Sequence, residues 1–103
     1  MAEKKVRVTI GSELLSRSEE LKVQENVNIF YDSIKKAMFL RGKDTNQEFG
    51  KNIYFVVTHK MDEKGRIKIP FAIRTAFPEA TYLPVEQNGK IYILIIEHEK
   101  KSE

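Results

Sequence analysis

Hydrophobic and polar residues alternate in several short runs of the chain, a pattern typical of strands with one buried face. Such runs are KKVRVTI at 4–10, VNIFY at 27–31 and RIKI at 66–69. Two further runs, IKKAMFLR at 34–41 and IYFVVTHKM at 53–61, are rich in residues that favour strands. Together these segments predict a mainly β protein.

Two short helices are predicted between the strands. Ser12 stands where a helix N-cap belongs, ahead of ELLSRSEEL at 13–21. Pro70 fits the first turn of a second helix, where its missing N–H costs nothing, and FAIRTAF at 71–77 continues that helix. The expected fold class is therefore mainly β with short helices.

A β-hairpin is predicted close to the C-terminus. The segment LPVEQNGKIYILIIE at 83–97 holds Asn88 and Gly89 between two β-rich runs. A type I′ turn needs positive φ at both central residues, and Asn-Gly supplies it at the lowest cost. An earlier turn is predicted at Asp32 and Ser33, which separate the second run from the third.

The chain has 103 residues and is expected to form one domain, residues 1–103. Its two halves follow one order of elements, β-α-β-β. We place repeat one at about 4–41, a linker at 42–52, repeat two at about 53–97, and a frayed tail at 98–103. The order predicts an internal duplication with a pseudo-twofold axis between the repeats.

The amino-acid composition excludes few classes of function. Lys and Arg number 18 against 15 Asp and Glu, a net charge of +3, which is compatible with a nucleic-acid partner. The chain has no cysteine, and its two histidines, His59 and His98, show no metal-ligand spacing. No glycine-rich phosphate loop and no catalytic constellation is present. We therefore predict no enzymatic activity, no cofactor and no metal site.

No apolar run approaches the ~20 residues that a membrane-spanning helix needs. The longest, IYILII at 91–96, has the length of a strand. We expect a protein that does not enter the membrane, with the cytoplasm as its default location.

The segment DEKGRIKIPFAIR at 62–74 carries the most specific signal. It resembles the signature of the AbrB/SpoVT/MazE superfamily of swapped-hairpin transcription factors, which is roughly D-x-x-G-R-[IV]-x-I-P-x-x-[IL]-R, then a helix and a β-hairpin. Residues 53–97 match that pattern in motif and order. Residues 6–41 match it more weakly, because the Gly-Arg and Ile-Pro pairs are absent there.

The resemblance implies a fold and a function. Members of this superfamily usually build one barrel from two identical chains, and a duplicated chain can build it alone, as in the tandem MraZ-like proteins. The expectation is a swapped-hairpin, AbrB-like barrel formed by a single-chain pseudo-dimer. Its expected function is transcriptional regulation through binding of double-stranded DNA. Carried over by position, the DNA contacts are His59, Lys60, Arg66 and Arg74, and Arg7 is the first-half equivalent of Arg66.

The charges within the motif fit that function. Arginine bridges two acceptors on guanine or clamps a phosphate with its planar fork. Lys64 and Lys68 would add attraction to phosphates, and Asp62 is expected to shape the turn and to orient Arg66. We expect Arg66 and Arg74 to point to one face.

Other interpretations remain open at this point. The charged segment can be a solvated strand edge that discourages aggregation. The chain can also be a protein-interaction module, an antitoxin- or adaptor-like barrel without DNA binding, and it can form a homodimer. Phe55, Phe71 and Phe77 fall in apolar patterns and are expected in the core. A platform that stacks single-stranded bases would need exposed aromatics such as Tyr31 and Tyr54.

Overall fold

A computed structural model describes residues 6–43 and 50–98. These residues form a mainly β protein with two short helices and antiparallel sheets, as the alternation predicts. The elements in chain order are β1 (Arg7–Thr9), α1 (Ser12–Ser16), β2 (Asn26–Asp32), β3 (Ala37–Gly42), β4 (Ile53–Lys60), β5 (Arg66–Lys68), α2 (Phe71–Ala76), β6 (Ala80–Gln87) and β7 (Lys90–Glu97).

The strands are arranged in two sheets. β1 and β5 form a two-stranded ribbon, and the other five strands form a sheet in the order β4-β2-β3-β7-β6. Two pairings join segments distant in sequence: β1 lies antiparallel to β5, and β3 lies antiparallel to β7. In the described part of the chain the sheets stay separate, and no closed barrel of strands is formed.

One hydrophobic core unites the ribbon and the five-stranded sheet. Val8 and Ile67 enter it from the ribbon, and Ile29, Met38 and Ile93 enter it from the sheet. The ribbon is also fastened at both ends, since the Ile10 amide donates to the Gly65 carbonyl and the Ile69 amide donates to the Val6 carbonyl, at 2.8 and 2.9 Å. The ribbon is therefore held against the core with its other face outward.

The turns form as their residues predict. Asn88 and Gly89 have φ values of 54° and 79°, so the predicted turn with two positive φ angles joins β6 to β7. After β2, the Asp32 carboxylate accepts hydrogen bonds from the amides of Ile34 and Lys35, both at 3.0 Å. Asp32 itself ends β2 rather than standing in the turn.

The helix boundaries differ from the predicted ones. The N-cap of α1 is Gly11, with φ of 90°, so Ser12 is the first helical residue and makes no cap bond. α1 ends at Ser16 because the Ser18 hydroxyl accepts the amides of residues 20 and 21 and so offers the backbone an alternative to the helix. Pro70 is likewise the N-cap of α2 and not its first residue.

Two of the three phenylalanines expected in the core lie on the surface. Phe55 is 59% exposed on β4 and Phe71 is 64% exposed at the start of α2, so those two predictions are wrong. Phe77 is partly buried and packs against the core as expected. The prediction for Phe55 fails because β4 is an edge strand of the sheet, which an apolar run alone does not reveal.

Most of the predicted linker, residues 44–49, and of the predicted tail, residues 99–103, lies outside the described residues. Neither helix of the described chain has the length and apolar character that crossing a membrane requires. In the same residues, no group of three or more potential ligand side chains is placed to hold a metal ion.

Candidate nucleic-acid interface

The outer face of the β1–β5 ribbon is basic. Because neighbouring residues of a strand point to opposite faces, burial of Val8 and Ile67 turns their neighbours outward. In the antiparallel register Arg7 lies opposite Lys68, and Thr9 lies opposite Arg66. Three cationic side chains and one hydroxyl therefore share the surface of a ribbon only three residues long.

The pairing of Arg7 with Lys68 is unfavourable for the protein alone. Like charges placed directly opposite each other on antiparallel strands destabilise the pair. Uncharged residues would suit a purely structural ribbon better. The pairing becomes favourable when an anion binds between the two side chains, and this makes the ribbon a candidate anion-binding surface.

The end of β4 adds two more predicted residues to this surface. A hollow of about 200 Å³ is lined by the ribbon residues Arg7, Arg66 and Lys68 together with His59, Lys60 and Asp62. The structure thus brings together five of the seven residues predicted to contact DNA. Four permanent cations face a single carboxylate, so the hollow carries an excess of positive charge.

Asp62 closes the loop between β4 and β5 and holds Arg66. Its Oδ1 accepts hydrogen bonds from the amides of Lys64 and Arg66 at 2.9 and 2.8 Å. Its Oδ2 accepts a charge-assisted hydrogen bond from Arg66 Nε at 2.7 Å. The predicted role of Asp62, shaping the turn and orienting Arg66, is confirmed. The contact engages only Nε, so this bond does not use the two terminal nitrogens of the guanidinium.

The glycine of the motif is required by the backbone of the same loop. Gly65 has φ of 75°, in the left-handed region that other residues enter at a cost. It is buried, and an added Cβ would lie 3.1 Å from the Leu15 Cδ1 atom. Its carbonyl accepts the Ile10 amide, so the glycine also joins the loop to the end of β1.

The electrostatic environment lowers two pKa values in the hollow. The pKa of His59 lies below its ordinary 6.5, because burial disfavours the charged ring and the nearby Lys68 cation repels it. The pKa of Asp62 lies below its ordinary 3.8, chiefly because its carboxylate accepts the Arg66 amide. Near neutral pH His59 therefore lines the hollow as an uncharged ring and Asp62 as a carboxylate.

Two predicted residues lie elsewhere. Lys64 is exposed at the loop and does not line the hollow. Arg74 lines a different hollow, of about 320 Å³, with Phe77 and Tyr82. The expectation that the two arginines point to one face stays a prediction, but Arg74 does not line the basic hollow with Arg66. The cause is the change of chain direction at Pro70, which puts Arg74 in the last turn of α2 rather than on the ribbon.

Arg74 is nevertheless connected to the basic hollow through Phe71. The Arg74 guanidinium carbon lies 5.7 Å from the centre of the Phe71 ring. Phe71 borders a third hollow, of about 300 Å³, which shares His59 and Lys68 with the basic one. Sequence reasoning missed Phe71 and Thr9 as members of this surface. The sequence alone could not have placed Thr9 on this surface, because its position depends on the register between β1 and β5.

Comparison of the chain with protein-family models, with curated proteins and with solved structures found no significant match.

Proposed function

We propose that the protein binds double-stranded DNA through the β1–β5 ribbon and the end of β4, and that it acts as a transcriptional regulator without enzymatic activity. One observation carries the proposal: Arg7, His59, Lys60, Arg66 and Lys68, from three separate strands, line one hollow. Two-stranded β-ribbons enter the major groove in several known classes of DNA-binding protein. The ribbon has the charge for that role.

The residues divide into two roles. Arg7, Lys60 and Lys68 supply the attraction to phosphates, which is independent of base sequence. Arg66 is the candidate for reading a base edge, because Asp62 fixes its Nε and restricts its orientation. A guanidinium held in this way offers its terminal nitrogens to the two acceptors of guanine at little entropic cost.

We further propose that the chain is a duplicated unit of the AbrB-like, swapped-hairpin kind, packed as two sheets around one core. The supporting observation is that corresponding strands of the two repeats pair antiparallel, β1 with β5 and β3 with β7. A twofold axis between the repeats, perpendicular to each sheet, would produce this arrangement. The sequence motif at 62–74 supports the same relationship. Within such a unit, a DNA contact of Arg74 remains a prediction.

The experiment is fluorescence anisotropy with a random-sequence duplex at several salt concentrations. If about four phosphates are contacted, affinity should fall roughly 100-fold between 50 and 200 mM salt. The test variant is Arg7→Ala with Lys68→Ala. It should bind more weakly, and the magnitude of its log–log salt slope should fall by about 1.8, from two lost contacts.

The matched control is Arg17→Ala with Lys36→Ala. Both of these residues are exposed, both take part in surface ion pairs, and neither lines the basic hollow. The control removes the same charge and should keep most of the affinity and the slope. No binding by the wild type at low salt, or equal losses in the two double variants, would refute the proposed interface.

A further inference from the structure

Phe71 is a large apolar side chain that the fold leaves open to solvent beside the basic hollow. It is 64% exposed, whereas Ile73, two residues further along α2, is buried. Residues two apart on a helix do not share a side of it, so the side of α2 that buries Ile73 turns Phe71 outward. A single exposed phenylalanine is ordinary on a protein surface. This one, however, forms part of the wall of a hollow.

The hollow that Phe71 borders is mainly apolar, and we call it the apolar hollow. It measures about 300 Å³ and lies between β4 and the start of α2. Its apolar lining residues are Val56, Val57, Pro70, Phe71 and Ala72. The other two, His59 and Lys68, also line the basic hollow, so the two hollows adjoin along these side chains.

The charges near the apolar hollow are positive. Lys68 lines it, and the Arg74 guanidinium carbon lies 5.7 Å from the centre of the Phe71 ring, a contact that is attractive and limits the motion of the ring. None of the described residues that line the hollow is acidic. A purely apolar partner would remove water from these cations without pairing them, at a cost in free energy. The surroundings therefore favour an anionic ligand that carries an apolar group.

We propose that the apolar hollow receives the 5-methyl group of a thymine, and that Phe71 is a specificity-determining contact to DNA. This inference rests on the proposed function, in which the β1–β5 ribbon enters the major groove. Thymine presents its methyl group in that groove, where apolar side chains such as those of phenylalanine and alanine contact it. A duplex whose phosphates pair with Lys68 brings its base edges beside the adjoining apolar hollow.

Phe71 and Arg66 would contact different base pairs. Arg66 lines the basic hollow but not the apolar one, whereas Lys68 lines both. Two residues along a strand span about 7 Å, which is roughly two base-pair steps at 3.4 Å each. The apolar hollow lies on the Lys68 side of the ribbon. It therefore adds a contact to thymine at a distance from the guanine proposed for Arg66.

Fluorescence anisotropy at low salt with two duplexes tests the inference. One duplex has alternating A·T pairs, so that every pair carries a thymine, and the other has uracil in place of thymine and so lacks only the methyl groups. The wild type should bind the thymine duplex about two- to fourfold more tightly, because one buried methyl group is worth about fourfold and not every register presents it. Phe71→Ala should abolish this preference and leave the salt slope unchanged, since no charge is removed. Phe71→Leu keeps an apolar side chain and should retain part of the preference.

Phe55→Ala is the matched control. Phe55 is 59% exposed, much like Phe71, but it lines neither hollow. This variant should keep the preference for thymine. Circular dichroism checks the fold of each variant, and the comparison of the two duplexes with the wild type needs no variant.

The outcomes separate this inference from the proposed function. Salt-sensitive binding of both duplexes with equal affinity would overturn the thymine contact and leave the DNA-binding ribbon standing. A preference that persists in Phe71→Ala, or that Phe55→Ala loses equally, would overturn it as well. So would tighter binding of single-stranded oligothymidylate than of duplex, with Phe71→Leu as defective as Phe71→Ala, which would make Phe71 a base-stacking residue. No binding of either duplex would refute the proposed function and this inference with it.

Discussion

Replacement of Lys68 tests two effects of the basic ribbon: that its like charges lower the stability of the fold, and that they contribute to DNA affinity. Lys68 lies directly opposite Arg7 on the ribbon, where their like charges repel each other. Lys68→Thr removes one of the two charges and places a residue that favours strands. We expect the variant to be more stable than the wild type and to bind DNA less tightly.

The magnitude follows from the geometry. Side chains directly opposite each other have Cβ atoms about 5 Å apart, and long cationic side chains separate their charges further, to roughly 7 Å. In water two like charges at that distance repel by about 0.6 kcal/mol. Measured cross-strand effects lie between about 0.2 and 1 kcal/mol. Lys68→Thr should therefore raise the free energy of unfolding by about 0.5 kcal/mol at low salt.

The assay is urea denaturation of both proteins at low salt and at 1 M salt, where the screening length falls to about 3 Å. The gain in stability should vanish at high salt if repulsion is its cause. NMR titration adds a second reading at His59. The pKa of its ring should rise in the variant, because the Lys68 cation contributes to lowering it, but should stay below 6.5 because burial remains.

Three results would contradict this reasoning. A variant less stable than the wild type at low salt would show that the Lys68 stem contributes packing that exceeds the repulsion. A gain in stability that persists at 1 M salt would assign the effect to strand propensity. Unchanged DNA affinity would remove Lys68 from the proposed interface.

Three further predictions concern the loop and the hollow. Gly65→Ala should reduce the free energy of unfolding by about 1–3 kcal/mol in urea denaturation, because φ of 75° strains any residue with a Cβ; a neutral result would contradict this. Asp62→Asn should raise affinity for random duplex in the anisotropy assay, because a negative charge is removed beside Arg66. Lowered affinity would instead show that binding depends on the ion pair. Between the lowered pKa of His59 in the folded protein and 6.5, the unfolded state binds the His59 proton more readily than the folded state, so the free energy of unfolding of the wild type should increase as the pH rises. His59→Gln should lack this increase. Identical pH profiles would exclude His59 as the cause.

Much of the secondary structure could be predicted from the pattern of residues. The alternating runs became strands, and Asn88 and Gly89 formed the expected turn between β6 and β7. The helix ends were less predictable, because the two backbone amides that donate to the Ser18 hydroxyl are enough to end α1. Exposure of Phe55 and Phe71 was not predictable, because it depends on which strand lies at an edge and on which side of α2 packs on the core.

The candidate site was predictable in part. The interaction of Asp62 with Arg66 was predictable from their spacing, because the turn that Gly65 permits brings the Asp62 carboxylate to Arg66 within one loop. The position of Arg7 in the candidate site was not predictable from local spacing. It depends on the pairing of β1 with β5, which are separated by more than fifty residues.

The sequence by itself determined the local structure: strands from alternation, turns from Asn-Gly and Asp, and the loop that holds Arg66. Those features depend on forces between residues near one another in the chain. Only the tertiary structure decided that Arg7 lies opposite Lys68 and that β3 pairs with β7. Each of these follows from the register between distant strands, which is fixed by burying one common core and not by any single segment.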